Sequence, residues 1–155
     1  RPANLVPAIT QTAIGKLPQL TVYGNDYDTR DGSCLRDFIH VSDIAHAHTL
    51  SLEYLLKGKT LKFCEVFNLG SGNGVTVLEA IRAFEKVTKM ALNYCIGPRR
   101  PGDVIAIYAD NRYAVEELGW KIRYNLDDMM ETAWKWELRI HDDEALFKIH
   151  DAKLN

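Results

Sequence analysis

Two arginines stand where turns rich in glycine, proline and aspartate would hold them in place. Arg36 closes a polar run containing Gly24, Asn25, Asp26, Asp28, Asp31 and Gly32. Arg100 lies in Pro98-Arg99-Arg100-Pro101-Gly102-Asp103, with a carboxylate three positions on. A guanidinium is a permanently charged planar fork of five donors, and two such forks on braced turns suit a pyrophosphate. Each charge-assisted bond is worth about 1.5–3 kcal/mol. By spacing alone, a surface ion pair is an equally good reading of either arginine.

Other reactive types disperse on inspection. Gly70-Ser71-Gly72-Asn73-Gly74 invites a dinucleotide reading, but the fingerprint needs glycine at its sixth position, where Val75 stands. No acidic residue follows about twenty positions on, since residues 91–94 are apolar or amide. A tight strand-to-helix connection is the reading that remains. His46 and His48, two apart on a helix, point in different directions and cannot share a metal; with His40 they are expected in the core or at the surface. Cys34, Cys64 and Cys95 are odd in number and widely spaced. That fits reduced thiols of the cytoplasm and excludes a Cys-x-x-Cys zinc pair, so no metal site is expected. Met129, Met130, Trp134 and Trp136 recur at helical spacing and are expected to pack, while Asp142, Asp143 and Glu144 are expected on a solvated face.

The elements that must position these groups alternate. Asn4 caps an expected helix bearing Leu5, Ile9, Ala13 and Ile14, ended by Gly15. A strand is expected at 20–23 and another at 38–41. A helix then starts at Ser42 or Asp43 and runs to about Leu56, with Ile44, Ala45, His48, Leu52 and Leu55 on one face. Residues 64–69 read as a strand buried on both sides. Thr76 and Glu79 form a capping box for the next helix. Residues 92–96 read as a strand, 105–109 as a short extended piece and 112–118 as a helix stopped by Gly119. Asn125 or Asp127 opens the last helix, and a polar tail follows from residue 141. Strands alternating with helices give an α/β or α+β chain.

Composition narrows the function classes. The chain has 155 residues, 46% hydrophobic and 26% charged, with a net charge of −2. That charge builds no basic field for nucleic acid or anionic lipid. No apolar run reaches the ~20 residues of a membrane span. The chain starts Arg1-Pro2-Ala3-Asn4, without Met and directly before a helix, so it is expected to be a piece of a longer protein.

Several segments together resemble the C-terminal portion of the UDP-glucose 4-epimerase family of extended short-chain dehydrogenases/reductases. They are Asn4-Leu5-Val6-Pro7, Ala13-Ile14-Gly15, the run 22–41, Ser42-Asp43-Ile44-Ala45, Phe67-Asn68-Leu69-Gly70-Ser71-Gly72, the turn 98–103 and Glu117-Leu118-Gly119-Trp120. The run 23–41 is the most specific of them, whereas 68–72 recurs across many nucleotide-sugar enzymes. The resemblance implies an α/β fold: the substrate-binding part of an extended dehydrogenase/reductase, with 38–41 and 66–69 completing a Rossmann-like sheet in the intact protein. It implies binding by residues 1–140, with 141–155 as a tail.

The resemblance also implies a UDP-glucose or UDP-galactose site. Asn4 and Leu5 would meet the diphosphate end, while Thr21, Val22 and Tyr23 would line the uracil pocket through backbone groups. Arg36 and Arg100 would clamp the diphosphate, Asp103 would hold the ribose, and Ile107 would lie beside the hexose. A side chain smaller than tyrosine at 107 implies tolerance of UDP-N-acetylhexosamine. Pro101 departs from the family, which usually has an acidic residue there. The family oxidises C4 with NAD, using a tyrosine and a lysine four residues on. The residues four after each tyrosine here are Tyr27, Asp31, Gly58, Pro98, Arg112, Glu117 and Asp128, so no such pair exists. NAD and the catalytic pair are therefore expected on an N-terminal segment of the same protein, in a cytoplasmic and homodimeric parent. The alternatives are a related NAD-dependent nucleotide-sugar epimerase or decarboxylase, or a non-catalytic UDP-sugar binding module.

Overall fold

A computed structural model describes residues 4–59 and 62–154, with side chains through residue 142. Helix α1 (Leu5–Ala13) starts after Asn4, whose backbone is extended but whose side chain makes no capping bond. Strand β1 (Leu20–Tyr23) lies parallel to β4 (Tyr94–Gly97), pairing Leu20 with Tyr94 and Tyr23 with Gly97. Between them in sequence come β2 (Leu35–Arg36), α2 (Val41–Leu56), β3 (Val75–Thr76) and α3 (Val77–Thr88). Helices α4 (Arg112–Leu118) and α5 (Leu126–Leu154) complete the order. Short β2 and β3 run antiparallel, and Leu35 also bridges Ala106. The arrangement is mixed α/β, as the alternation implies.

One core joins α1, β1, α3 and α5. Ile9, Ile81, Phe84 and Met130 are fully buried there, with Leu20, Val22 and Leu92 beside them. Phe84 meets the Trp134 ring edge-on, and Met130 is enclosed, so the packing reading of that stripe holds for both; Trp136 faces solvent. The capping box forms as written: Glu79 N–H donates to Thr76 Oγ1 and Thr76 N–H to Glu79 Oε2. Asn125 and Asp128 make the same reciprocal exchange at the start of α5. A second, smaller cluster joins α2 and α4 through Ala47, Tyr54, Ala114, Leu118 and Trp120.

Three expectations are corrected. Residues 38–40 form no ladder and Val41 already belongs to α2. That helix is capped by His40, not by Ser42 or Asp43: His40 Nδ1 accepts from Ser42 N–H, and Nε2 meets Thr132 Oγ1 at 3.0 Å. The second correction is the face of α2. It buries Asp43, Ala47 and Tyr54, while Ile44, Leu52, Leu55 and Leu56 stay exposed. Asp43 is enclosed because it accepts from Arg123 and Tyr124 N–H and from the Arg123 guanidinium, and Trp120 Nε1–H donates to its carbonyl. The third correction is 64–69, which forms no strand among the described residues. A strand exists only by its pairing, and an apolar run without a neighbour stays irregular.

Asp143 and Glu144 of the acidic run have side chains outside the described residues, as has Arg1 at the start.

Candidate functional site

A cavity of about 670 Å³ opens between the start of α1, strand β1, the end of β2 and the turn 98–103. Its size falls within the range of small-molecule sites. Asn4, Leu5, Thr21, Val22, Tyr23, Arg36, Arg100 and Asp103 all line it, although 99 positions separate the first from the last. Ile107 does not; it is exposed, and its N–H donates to Leu35 O at 3.0 Å.

The two guanidinium groups converge on one carboxylate. Asp103 Oδ1 accepts from Arg100 Nη2 at 2.8 Å and lies 3.5 Å from Arg36 Nη2. Arg36 is held further by its Nη1, which donates to Leu35 O at 2.8 Å and to Val104 O at 2.9 Å. Its side chain is 27% exposed against 58% for Arg100. Asp103 holds the Arg100 guanidinium in its charged form, pushing its pKa further up. The Arg100 guanidinium lies 5.3 Å from the centre of the Tyr23 ring, so the aromatic face forms a ledge under the charge.

Strand β1 contributes backbone as well as side chains. Leu20 N–H donates to Asn93 O and Gly24 N–H to Gly97 O, which turns the even positions toward β4. In a parallel ladder the alternate residues point the other way. The main-chain groups of Thr21 and Tyr23 therefore face away from β4, along an edge with no further strand among the described residues. Such an edge can read the polar rim of a flat heterocycle. The neighbouring loop is braced by Arg99, whose Nε donates to Asp26 Oδ1 at 2.8 Å and whose guanidinium stacks 4.3 Å from the Tyr27 ring centre.

Cys34, Asp37, Val6, Ala8, Phe38 and Val77 also line the cavity. Nothing in their types or spacing singled out the apolar members. Asp37 had one signal, its place beside Arg36 at the mouth of a strand.

Two glycines of the glycine turn pack closely against the rest of the chain. A Cβ on Gly70 would lie 2.2 Å from Asp37 Oδ2, and one on Gly74 would lie 2.0 Å from the Leu35 side chain. These two glycines admit the protein's own groups at close range. Among the described residues no group of His, Cys, Asp and Glu could hold a metal ion.

The sequence model of the GDP-mannose 4,6 dehydratase family matches residues 2–133. The chain belongs to that family. Within the GDP-mannose 4,6 dehydratase family its relatives include UDP-glucose 4-epimerases. A bifunctional UDP-glucose 4-epimerase and UDP-xylose 4-epimerase from Pisum sativum is 48% identical over 137 residues, 87% of this chain and 38% of the relative. The solved UDP-glucose 4-epimerase of Stenotrophomonas maltophila, with bound NAD and formylated UDP-arabinopyranose, superposes with a TM-score of 0.87 at 44% identity. It covers 92% of this chain and 41% of that one. The enzyme of Bifidobacterium longum in complex with NAD+ and UDP gives 0.81 at 43%, covering 89% and 40%. The resemblance to the epimerases is thus borne out, and so is the partial extended dehydrogenase/reductase fold. The chain spans about two-fifths of the length of these relatives.

Proposed function

We propose that the chain is the UDP-sugar-binding C-terminal part of a UDP-glucose 4-epimerase, which interconverts UDP-galactose and UDP-glucose through an NAD-dependent 4-keto intermediate. The observation that carries the reading is the pairing of Arg36 and Arg100 on Asp103 at the rim of a cavity floored by β1. In this reading Asn4 and Leu5 meet the diphosphate end and both arginines clamp it. Thr21, Val22 and Tyr23 take the uracil, Asp103 takes the ribose, and Ile107 stands toward the hexose with room for an N-acetyl group. Residues 1–140 carry the binding, and 141–155 form a tail outside it.

The chemistry belongs elsewhere in the parent. With no Tyr-x-x-x-Lys and no dinucleotide fingerprint, this chain by itself is inactive; NAD and the catalytic pair lie on an N-terminal segment. The exposed stripe of α2 and the unpaired run 63–69 support a docking partner there. Phe63 and Val66 are fully or largely exposed, in a segment that pairs with no strand among the described residues. An apolar segment outside any strand among the described residues and an apolar helix face ask for a partner to cover them. The parent is cytoplasmic and homodimeric in this reading; among the described residues no helix is long and apolar enough to cross a membrane.

Calorimetric titration of UDP into the chain tests the proposal. Binding that weakens on Arg36→Ala supports a working half-site, and no binding by the unsubstituted chain overturns it. In the full-length parent, turnover of UDP-galactose separates this reading from a related epimerase or decarboxylase. Turnover of UDP-glucose without UDP-N-acetylglucosamine sinks the role given to Ile107.

A further inference from the structure

The carboxylate of Asp37 gathers three stretches of chain. Its Oδ1 accepts from Ser71 N–H at 2.8 Å and its Oδ2 from Ala109 N–H at 2.9 Å. The second bond continues a ladder. Leu35 N–H donates to Ile105 O at 2.9 Å and Ile107 N–H to Leu35 O at 3.0 Å. The next donor in that register, Ala109 N–H, meets the side chain of Asp37 in place of its carbonyl. One carboxylate thus adds a rung to the 105–109 strip and ties that strip to the glycine turn.

The strip begins with the groups that hold the arginines. Val104 O is one of the acceptors of Arg36 Nη1, and Asp103 bridges Arg36 and Arg100. Gly70 makes the closure possible, since a Cβ there would also lie 2.7 Å from the Ala109 Cβ. Asn111 Nδ2–H secures Gly70 O at 2.6 Å from the far side. Both oxygens of Asp37 are engaged by main-chain donors.

We propose that Asp37 is a positioning residue of the cavity: it fixes the 103–109 strip against Gly70 and Ser71 and so sets the orientation in which Arg36 receives a diphosphate. The inference rests on the reading of the cavity as a UDP site and adds a residue to which the resemblance gives no role. Its effect must pass through Arg36, and therefore must fall on the diphosphate and spare the nucleoside.

The test compares UDP with uridine, by calorimetry, on the 155-residue chain and on Asp37→Asn, Gly70→Ala, Arg36→Ala and the double Asp37→Asn/Arg36→Ala variant. Asparagine keeps the size but turns an amide donor toward one of the two N–H groups. Gly70→Ala displaces the carboxylate without changing its charge. Each is expected to weaken UDP about tenfold, a normal coupling between residues of one network, with uridine unchanged within error. The loss is expected to vanish in the Arg36→Ala background. Equal losses for UDP and uridine, no loss, or a loss that persists without Arg36 overturn the proposal. Should both variants fail to fold, hydrogen exchange of the unsubstituted chain decides. UDP, and not uridine, must slow the Ser71 and Ala109 amides, and unchanged exchange overturns the inference. If the chain binds no UDP at all, the UDP-site reading fails with it. If it binds UDP through Arg36 but ignores Asp37→Asn, this inference fails alone.

Discussion

Arg36 and Arg100 carry the same charge but sit in different restraints, and that difference predicts unequal roles. Arg36 is largely enclosed and held by two carbonyls as well as Asp103, whereas the more exposed Arg100 has Asp103 and the Tyr23 face. A preorganised donor loses less freedom on binding. Arg36→Ala should therefore weaken UDP by roughly 10–100-fold, in line with one or two charge-assisted bonds, and Arg100→Ala by several-fold less; calorimetry on both variants checks the order. A second residue-scale prediction concerns Glu79. Its bond to Arg30 comes first among the causes that draw its carboxyl down to about 2 from an ordinary value near 4.5. The folded state thus takes up its proton later than the unfolded chain as pH falls. The contribution is complete above about pH 4.5 and is lost as pH drops toward 2. Arg30→Met should lower the denaturation midpoint at pH 7, and the gap from the parent chain should narrow between pH 5 and pH 2.5; a gap independent of pH counts against this account. Both arginines stood out in their turns, as ligands for an anion or as members of surface ion pairs. Their meeting on Asp103 was not legible, because Arg36 and Asp103 are 67 positions apart in sequence and only packing brings them together.

Features written by local signals form where expected: the capping box of α3 and the glycine stop of α4 at Gly119 depend on neighbours in sequence. Strands depend on distant partners: β1 forms because β4 lies beside it, and two other candidate strands do not form. Residues 64–69 and 38–41 have the composition of buried strands, yet a ladder needs a second chain segment alongside. The stripe of α2 makes the same point from the other side. Its apolar period is real, and α2 turns Asp43, Ala47 and Tyr54 inward because Arg123, Tyr124 and Trp120 anchor that face. A Leu52→Lys/Leu55→Lys double variant should therefore shift the stability of this chain by less than about 0.5 kcal/mol per site, as for other exposed positions. It should also reduce self-association seen by sedimentation velocity. In a full-length parent whose N-terminal segment covers α2, the same pair should cost about 2 kcal/mol or more per leucine. Equal effects in both proteins argue against that docking face.

For the molecule as a whole, the prediction is a division of labour. Supplied with NAD and UDP-galactose, this chain should bind the nucleotide sugar and form no UDP-glucose; coupled assay of the product checks the second half, and measurable turnover removes the assignment of chemistry to another segment. What the sequence by itself determined was local or carried by spacing: the α/β alternation, the capping box of α3, the absence of Tyr-x-x-x-Lys, the failed glycine fingerprint and the resemblance that the relatives bear out. Tertiary structure alone decided which of these residues act together. It closed a cavity from four distant segments, set two guanidinium groups on one carboxylate and passed the rung at Ala109 to the side chain of Asp37. It also left an apolar helix face uncovered. The reason is physical: hydrogen bonds within one turn are specified by residues three or four apart, whereas convergence of charges and burial of a face depend on what the folded chain places opposite them.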